Sequence, residues 1–307
     1  MDTTLLRPVT EAEIDQFWRE GVVRLRGVID PAWLESLVEP IEGLLKQTSP
    51  EVTGTPHATV DITGMAEALR RDGAKEQLLE DAMAADQQRG RYLLVSWSDD
   101  PAIRRFETSS MVPEIAAQVL RSKSVDLLTE QILVKEPGAP TRTAFHTDEP
   151  YFNIEGDKAC SAWVPLDTVT LDSGAMGYIR GSHRWTQNFL PNFFVSQATT
   201  APEGTFGRVK LPDIEGHPED FDLVYYETEP GDVVLHHYRT VHGSGGNTTA
   251  NRRRRAITVR YCGDDIRWQP SGLASRTLPA FQNSLQPGEP LSNAADHFPR
   301  CWSAPTD

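Results

Sequence analysis

The first third of the chain spaces its apolar residues as amphipathic helices do. Glu11 to Glu20 carries apolar side chains at positions 14, 17 and 18 and is followed by Gly21, which predicts a helix that stops there. Asp30-Pro31 combines an N-cap residue with proline at the first helical position, so a second helix is expected to begin at this point. Further helices are predicted from Ala66 to Ala85 and from Pro113 to Ser122.

From about Val125 the pattern changes to short apolar runs separated by turn residues. Clusters rich in Gly, Pro, Asp and Asn lie at positions 136–140, 171–175, 229–232 and 242–247. Short strands in this number, without alternating crossover helices, are typical of an antiparallel jelly roll. The predicted fold is therefore mainly β with flanking helices. The predicted strands are Glu130–Lys135, Thr143–His146, Cys160–Pro165, Gly177–Ile179, Leu223–Glu227, Asp232–His237 and Ala256–Tyr261.

The position of this change predicts how the 307 residues are organised. We expect a single domain with a mainly helical N-terminal layer over 1–124, a jelly-roll core over 125–265 and a C-terminal extension over 266–307. Within the core, residues 185–221 show little periodicity. A connection this long in a compact domain is usually functional, so a lid or binding loop is predicted there.

Composition and charge narrow the class of protein. Apolar residues make up 38% and charged residues 24%, as in soluble globular proteins. A formal net charge of −14 opposes contact with phosphate backbones, so we expect a small-molecule substrate and no nucleic acid. No apolar run approaches the roughly 18 residues that span a membrane, and no secretory signal is evident. Three distant cysteines (Cys160, Cys262 and Cys301) fit a reducing cytoplasm. The oligomeric state is left open.

Phe145-His146-Thr147-Asp148 is the first segment that suggests chemistry. If it is a strand, alternation puts His146 and Asp148 on one face, where an imidazole and a carboxylate can bind one metal ion. The alternative is a hydrogen-bonded His–Asp pair at a strand end.

His242 supplies a second imidazole, in a glycine-rich segment with 93 residues between it and Asp148. Two histidines and one carboxylate leave three positions of an octahedral iron(II) open, two for a bidentate 2-oxo acid and one for oxygen. His236 shares the strand parity of His242 and competes for this role. His237 is interpreted as a packed residue and His183 as a turn residue.

Four arginines, Arg252 to Arg255, begin the strand after His242. The far carboxylate of a 2-oxo diacid needs a buried cationic partner, and a guanidinium fork suits it best. Strand parity places Arg254 on one face and Arg253 and Arg255 on the other, so either Arg254 or Arg253 can be the anchor. The remaining arginines are predicted to be solvated.

These motifs together resemble a known family. HTD at 146–148, GSH at 181–183, HGSGGN at 242–247 and RRAI at 254–257 are similar to motifs of the phytanoyl-CoA dioxygenase family of iron(II)/2-oxoglutarate oxygenases. The stretch VKEPGAPTRTAFHTDEPYF at 134–152 is especially similar to bacterial members. The resemblance covers roughly 8–261.

The resemblance implies a double-stranded β-helix core and the use of iron(II), 2-oxoglutarate and O2. Phe145 and Thr147 depart from the family, which usually has tryptophan and glutamine there, and a longer loop after His242 keeps Arg253 as an alternative to Arg254. The carboxylate of Asp148 implies oxygenation rather than halogenation. The positions that match are His146, Asp148 and His242 for iron, Arg254 for 2-oxoglutarate, and Ser244 and Trp163 for the lining of the co-substrate pocket.

The predicted function is hydroxylation, or another oxidation, of a small apolar or amphipathic metabolite with release of succinate and CO2. Two alternatives remain. A cupin-like metalloenzyme would keep the metal site without a 2-oxo acid, and a non-catalytic jelly-roll binding module would use HTD and HGSG structurally.

Overall fold

A computed structural model describes residues 1–46, 48–49, 59–61, 92–96, 99–139, 141–271 and 283–305. Among these residues, four α-helices lie in the N-terminal part, and the two larger β-sheets form the core. The helices are α1 (Glu11–Glu20), α2 (Pro31–Leu45), α3 (Pro101–Ser109) and α4 (Val112–Val119). The strands are β1 (Val22–Leu25), β2 (Thr48–Ser49), β3 (Thr59–Asp61), β4 (Tyr92–Ser96), β5 (Ser124–Lys135), β6 (Thr143–His146), β7 (Ile154–Glu155), β8 (Ala159–Pro165), β9 (Met176–Ile179), β10 (Asn192–Phe193), β11 (Ser196–Thr199), β12 (Leu223–Tyr226), β13 (Val233–His237), β14 (His242–Ser244), β15 (Arg254–Gly263), β16 (Arg267–Trp268) and β17 (Arg300–Ser303).

The two larger sheets form the jelly roll. The major sheet runs in the order β1-β13-β8-β15-β5-β4-β3-β2, and β17 also pairs with β5. The minor sheet runs β12-β9-β14-β6. Trp163 and Ala256 of the major sheet pack with Met176 and Tyr178 of the minor sheet, so these inner faces enclose a shared core. The predicted mainly β, jelly-roll fold is confirmed.

The opposite face of the major sheet carries the helical layer. Along β15, Ile257 and Val259 pack with helical residues such as Phe17 and Phe106, whereas Ala256 belongs to the inner core. The period of two along this strand therefore separates a helix-facing set of side chains from a set that faces the interior of the barrel. This separation decides which arginines enter the barrel.

Local sequence signals explain where the helices begin and end. Thr10 and Glu13 form a capping box at the start of α1, and Gly21 ends that helix with a left-handed φ of 78°. A Cβ at Gly21 would lie 2.4 Å from Nδ1 of His183, so this position also needs glycine for packing. Asp30 caps α2 ahead of Pro31, as the sequence predicted.

Some elements differ from the expectation. Helices α1 and α2 and the helix near Pro113 are confirmed, while the predicted helix Ala66–Ala85 lies outside the described residues. Helix α3 and the strands β1 to β4 were not predicted, so the N-terminal part contributes strands to the major sheet as well as helices. His242–Ser244, interpreted as part of a turn, is a strand of the minor sheet. The division into a layer, a core and an extension stays a prediction.

Candidate active site

Two histidines face each other on neighbouring strands of the minor sheet. His146 ends β6, His242 begins β14, and the two are direct partners in the antiparallel pairing. Both side chains are buried, and their ring centroids are 4.3 Å apart. Gly243 permits this approach, because a Cβ there would lie 2.9 Å from the carbonyl oxygen of Thr143. The glycine after His242 thus allows β14 to lie against β6.

The same local hydrogen bond orients both imidazole rings. Nδ1 of His146 lies 2.8 Å from the carbonyl oxygen of Ala144, and Nδ1 of His242 lies 2.9 Å from that of Thr240. A carbonyl oxygen can only accept, so each Nδ1 carries the proton and each Nε2 keeps its lone pair. Outer hydrogen bonds of this kind fix the tautomer and the orientation of metal-binding histidines.

Asp148 reaches the two histidines through a turn. Strand β6 ends at His146, and Asp148 has helical backbone angles (φ −74°, ψ −23°) at the start of a short 3-10 turn, so strand alternation does not apply to it. Its Oδ1 nevertheless lies 3.9 Å from Nε2 of His146 and 4.0 Å from Nε2 of His242. Its Oδ2 accepts a hydrogen bond of 2.6 Å from Oγ of Ser161 on β8. His146 and Asp148 therefore lie close together as expected, but a turn, and not strand alternation, brings Asp148 to this position.

The protonation states of the three groups suit a cation. Burial lowers the pKa of His146 to about 3 and that of His242 to about 4, so both imidazoles are neutral near pH 7. Burial opposes ionisation of Asp148, yet the nearby Arg260 guanidinium and His236 hold its pKa well below the usual value. Neutral imidazole and ionised carboxylate are the forms that bind metal ions. One ligand atom from each residue lies within 4.8 Å of the others, and all three residues are buried.

The other candidate histidines have different surroundings. His236 lies beside the three residues, with Nε2 3.4 Å from Oδ2 of Asp148 and its ring centroid 4.2 Å from that of His242. His237 instead lies 2.8 Å from the carbonyl oxygen of Asp157, and His183 lies 3.2 Å from that of Trp18. Both therefore contact the backbone of other segments. His236 neighbours the carboxylate and does not complete the set of three.

Arg254 lies inside the barrel, as the family resemblance implied, on the opposite face of the strand from Arg253 and Arg255. Its side chain is fully buried, and Nη2 donates to the carbonyl oxygen of Gly174 at 2.9 Å. Oγ of Ser244 is 3.4 Å from the same nitrogen, and the Trp163 ring centroid is 5.6 Å from the guanidinium carbon. The three residues expected to line a co-substrate pocket are thus neighbours.

The remaining arginines of the run point outward. Arg253 bonds to Glu42 at 2.7 Å and Glu136 at 2.8 Å, and its side chain is 35% exposed. Arg255 pairs with Asp167 at 2.7 Å and also reaches Glu42. Arg252 is 43% exposed, as predicted, and pairs with Asp172. The prediction of simply solvated side chains was wrong for Arg253 and Arg255, because carboxylates of α2 and of neighbouring loops bind them at the surface.

Lys135 was not predicted and completes the surroundings of Arg254. The two residues are Cα partners across β5 and β15, and Lys135 is fully buried. Its Nζ donates to Oγ of Ser244 at 2.9 Å and also to the carbonyl oxygen of Gly245. Burial, and then the charge of Arg254, hold its pKa well below the usual value. Strand alternation puts Lys135 on the same face of β5 as Leu133, so the sequence could have placed Lys135 inside the barrel. The sequence alone does not predict that Lys135 pairs with Arg254.

One cavity is lined by His146, Asp148 and His242 and also by Trp163, whose ring lies beside Arg254.

 Its lining includes Trp163 and Thr258 from the major sheet, Met176 from the minor sheet, and Phe194 from the predicted lid. Arg260, a further buried cation on β15, also lines it. The complete lining is Gln131, Leu133, Thr143, His146, Asp148, Trp163, Met176, Phe194, His236, His242, Thr258 and Arg260.

Residues 185–221 lie against the strand that carries His146. Nδ2 of Asn192 donates to the carbonyl oxygen of Phe145 at 2.8 Å, and the Phe194 ring centroid is 5.6 Å from that of His146. Leu211 and Ile214 pack on Phe145 in a separate apolar cluster. The segment thus covers one side of the cavity, while its role as a lid stays a prediction.

Comparison with known proteins gives the family. Residues 17–256 match the sequence profile described as "Phytanoyl-CoA dioxygenase (PhyH)", which is most of the chain. The chain belongs to the phytanoyl-CoA dioxygenase family. The family predicted from the HTD, HGSGGN and RRAI motifs is therefore confirmed.

Relatives of this phytanoyl-CoA dioxygenase family member are distant in sequence. A "Probable phytanoyl-CoA dioxygenase" of Caenorhabditis elegans is 24% identical over 176 residues, covering 55% of this chain and 54% of the relative, so that match spans about half of each protein. The "Phytanoyl-CoA dioxygenase domain-containing protein 1" of Danio rerio is 22% identical, covering 88% of this chain and 96% of the relative.

Solved structures share the fold of this family member. The "non-heme alpha ketoglutarate dependent carbocyclase SnoK from nogalamycin biosynthesis" superposes with a TM-score of 0.67 at 21% identity, covering 98% of this chain and 100% of the other. The epimerase SnoN, solved with Fe3+ and alpha ketoglutarate, gives a TM-score of 0.65 at 22% identity, covering 95% and 98%. Membership of the family confirms the predicted enzyme class, a dioxygenase.

Proposed function

We propose that this chain oxidises a small organic molecule with O2 and 2-oxoglutarate, releasing succinate and CO2, and that His146, Asp148 and His242 hold the iron(II). The observation that carries this proposal is the convergence of two Nε2 atoms and one carboxylate oxygen within 4.8 Å, in the same cavity neighbourhood as the fully buried Arg254.

The three side chains fit iron(II) in number, type and protonation. Two neutral imidazoles and one carboxylate are the ligand set of non-haem iron oxygenases, and they leave three coordination positions open. Iron(II) supplies the redox chemistry that activates dioxygen, and the protein supplies binding and orientation. Ser161 holds one oxygen of Asp148 at 2.6 Å, which leaves Oδ1 directed at the two Nε2 atoms.

The surroundings of Arg254 fit the far carboxylate of 2-oxoglutarate. Nζ of Lys135 and Nη2 of Arg254 both approach Oγ of Ser244, at 2.9 and 3.4 Å, so this oxygen accepts and its hydroxyl hydrogen can donate elsewhere. Nε1 of Trp163 is a buried donor with no hydrogen-bond partner among the described residues. A carboxylate next to Arg254 would receive these donors, as buried polar groups require.

The apolar walls of the cavity would exclude water from the site. Leu133, Met176 and Phe194 line the cavity, and Phe194 lies edge-on to His146. Apolar walls of this kind strengthen the electrostatic interactions inside and keep solvent from the reacting groups. Phe194 belongs to residues 185–221, so we assign this segment the role of covering bound substrate.

The cupin-like alternative lacks a reason for the buried Arg254, and the non-catalytic module lacks one for the alignment of both Nε2 atoms. We therefore favour the co-acid-dependent oxygenase over both. The carboxylate of Asp148 supports oxygenation rather than halogenation, because it would supply the third ligand.

We further propose that the protein acts on a soluble metabolite in the cytoplasm, without nucleic acid or a membrane as partner. The net charge of −14 supports the first exclusion. Among the described residues, no helix is both long enough and apolar enough to cross a bilayer. Cys160, Cys262 and Cys301 are all free thiols, as a reducing compartment favours.

Anaerobic addition of iron(II) and 2-oxoglutarate tests the proposal. We expect a visible metal-to-ligand charge-transfer band with one iron per chain, because chelation by the keto acid produces it. The cupin-like alternative predicts stoichiometric iron without the band, and the binding module predicts neither. Either result would overturn the proposed function.

A further inference from the structure

A second buried guanidinium lies in the cavity, at the end away from Arg254. Arg260 is six residues further along β15, and both arginines face the interior. At about 3.4 Å per residue the two Cα atoms are roughly 20 Å apart. Arg260 is 7% exposed and is the cross-strand partner of Ser161, which binds Asp148. The proposed iron site is therefore close to Arg260.

Most of the hydrogen-bonding capacity of Arg260 is unused within the protein. Nη2 donates to Oε1 of Gln131 at 2.6 Å and lies 4.0 Å from Oδ1 of Asp148. Nε and Nη1 have no hydrogen-bond partner among the described residues. The guanidinium carbon lies 5.5 Å from the Phe152 ring centroid, which supports the planar cation from one side. Buried donors left in this state are costly, so a missing acceptor is indicated.

The charges of the proposed complex leave an excess of positive charge in the barrel. The ferrous ion and the 2-oxoglutarate dianion cancel, and even with Lys135 neutral the carboxylate of Asp148, 4.0 Å from Arg260, stands against two guanidiniums, those of Arg254 and Arg260. Glu130 also acts on the pKa of Arg260, but it follows Thr129 and precedes Gln131 on β5, so its side chain lies on the opposite face of that strand. One further anion would balance the interior of the barrel.

We propose that Arg260, supported by Gln131 and Phe152, binds a carboxylate group of the primary substrate, which is therefore an organic acid. This inference rests on the proposed function, because it names the substrate class of that same site. A planar guanidinium with open donors suits a carboxylate. Leu133, Met176 and Phe194 line the same cavity and give the apolar body of such an acid a surface to contact.

Paired acids and amides test the proposal on the full chain loaded with iron(II) and 2-oxoglutarate under nitrogen. Hexanoate and benzoate are titrated beside hexanamide and benzamide, and binding is followed by calorimetry and by the charge-transfer band. For the wild type we expect at least one acid to bind at least about tenfold more tightly than its amide. Loss of one partner of a buried charge pair costs about 2 kcal/mol or more, so Arg260→Gln should bind that acid at least about thirtyfold more weakly.

Control variants separate this role from a structural one. Arg260→Lys, which keeps the charge without the planar fork, should retain part of the preference. Arg180→Gln removes a surface arginine paired with Asp222 and should change neither probe's affinity. The amides should bind Arg260→Gln as they bind the wild type, and 2-oxoglutarate should give an unchanged band with an unchanged dissociation constant.

The outcomes are distinguishable. A wild type that forms the band but binds no acid more tightly than its amide overturns the role of Arg260 and leaves the proposed function standing. Weakened 2-oxoglutarate or iron binding in both Arg260→Gln and Arg260→Lys also overturns it, because Arg260 then serves the co-substrate or Asp148. Absence of the band in the wild type is the separate result that removes the proposed function, and this inference falls with it.

Discussion

Replacing Arg254 with alanine removes the proposed anchor of 2-oxoglutarate without touching the three residues at the iron site. The side chain is fully buried, and its contacts include the Gly174 carbonyl, Ser244 and the face of Trp163. The co-substrate should still chelate iron through its keto acid end. The far carboxylate, however, would be buried beside a void where its cation had been. We therefore expect weaker 2-oxoglutarate binding with iron retained.

The expected size of the loss follows from burial. Removing one partner of a buried, hydrogen-bonded charge pair typically costs about 2–5 kcal/mol, and each 1.4 kcal/mol is about a tenfold change. The dissociation constant should thus rise by roughly two orders of magnitude or more. Arg253→Ala is the matched control, because that side chain is 35% exposed and pairs with Glu42 and Glu136 outside the barrel. Its loss should change the constant by less than about threefold.

Lys135 makes the residual affinity depend on pH. Its pKa is lowered first by burial and second by the charge of Arg254. Removal of Arg254 abolishes the second cause, so the pKa of Lys135 rises and more of the amine is protonated at a given pH. Residual 2-oxoglutarate binding by Arg254→Ala should therefore strengthen as the pH falls, and the added change Lys135→Met should remove that dependence.

Titration of 2-oxoglutarate under nitrogen, followed by the charge-transfer band, measures each constant. The reasoning is refuted if Arg254→Ala binds like the wild type while Arg253→Ala loses affinity, since the inward-facing register would then be misplaced by one residue. No loss in either variant would remove the co-substrate argument altogether. It would favour a metalloenzyme that needs no 2-oxo acid.

Three further predictions concern the iron site and its histidines. Replacing any of the three proposed ligands with alanine should abolish stoichiometric iron binding and succinate formation while the fold stays intact. His183→Ala should keep both properties. Full iron content in a ligand variant, measured by elemental analysis, contradicts the assignment. Ser161→Ala should weaken iron binding about 10–100-fold, because it frees Oδ2 of Asp148, and an unchanged affinity in a competition with a chelator excludes this role. The metal-free protein should lose stability as the pH falls below about 6.5, because unfolded histidines bind protons there while buried ones such as His237, with a pKa of about 3, do not. Burial raises the pKa of Glu107, so this group stabilises the fold as the pH falls, but it is one group against several buried histidines. A melting temperature that stays constant from pH 6.5 to roughly 4.5 contradicts the expectation.

The sequence by itself determined the strands and the residues that depend on local periodicity. Thr143–His146 was predicted with its observed bounds, and most other predicted strands differ by a few residues at their ends. Alternation along β15 correctly separated Arg254, inside the barrel, from Arg253 and Arg255, outside it. This works because a strand has a fixed period of two, so the burial of one residue decides that of its neighbours.

Only the tertiary structure decided which side chains from other strands and sheets contact these residues. Asp148 reaches His146 and His242 through a turn, where no periodicity applies, and its second oxygen is held by Ser161 from another sheet. Lys135 becomes a neighbour of Arg254 through the register of β5 against β15, and Arg260 meets Asp148 in the same way through packing of distant segments. Such contacts depend on strand pairing and on the packing of one sheet against the other, which local spacing along the chain does not specify.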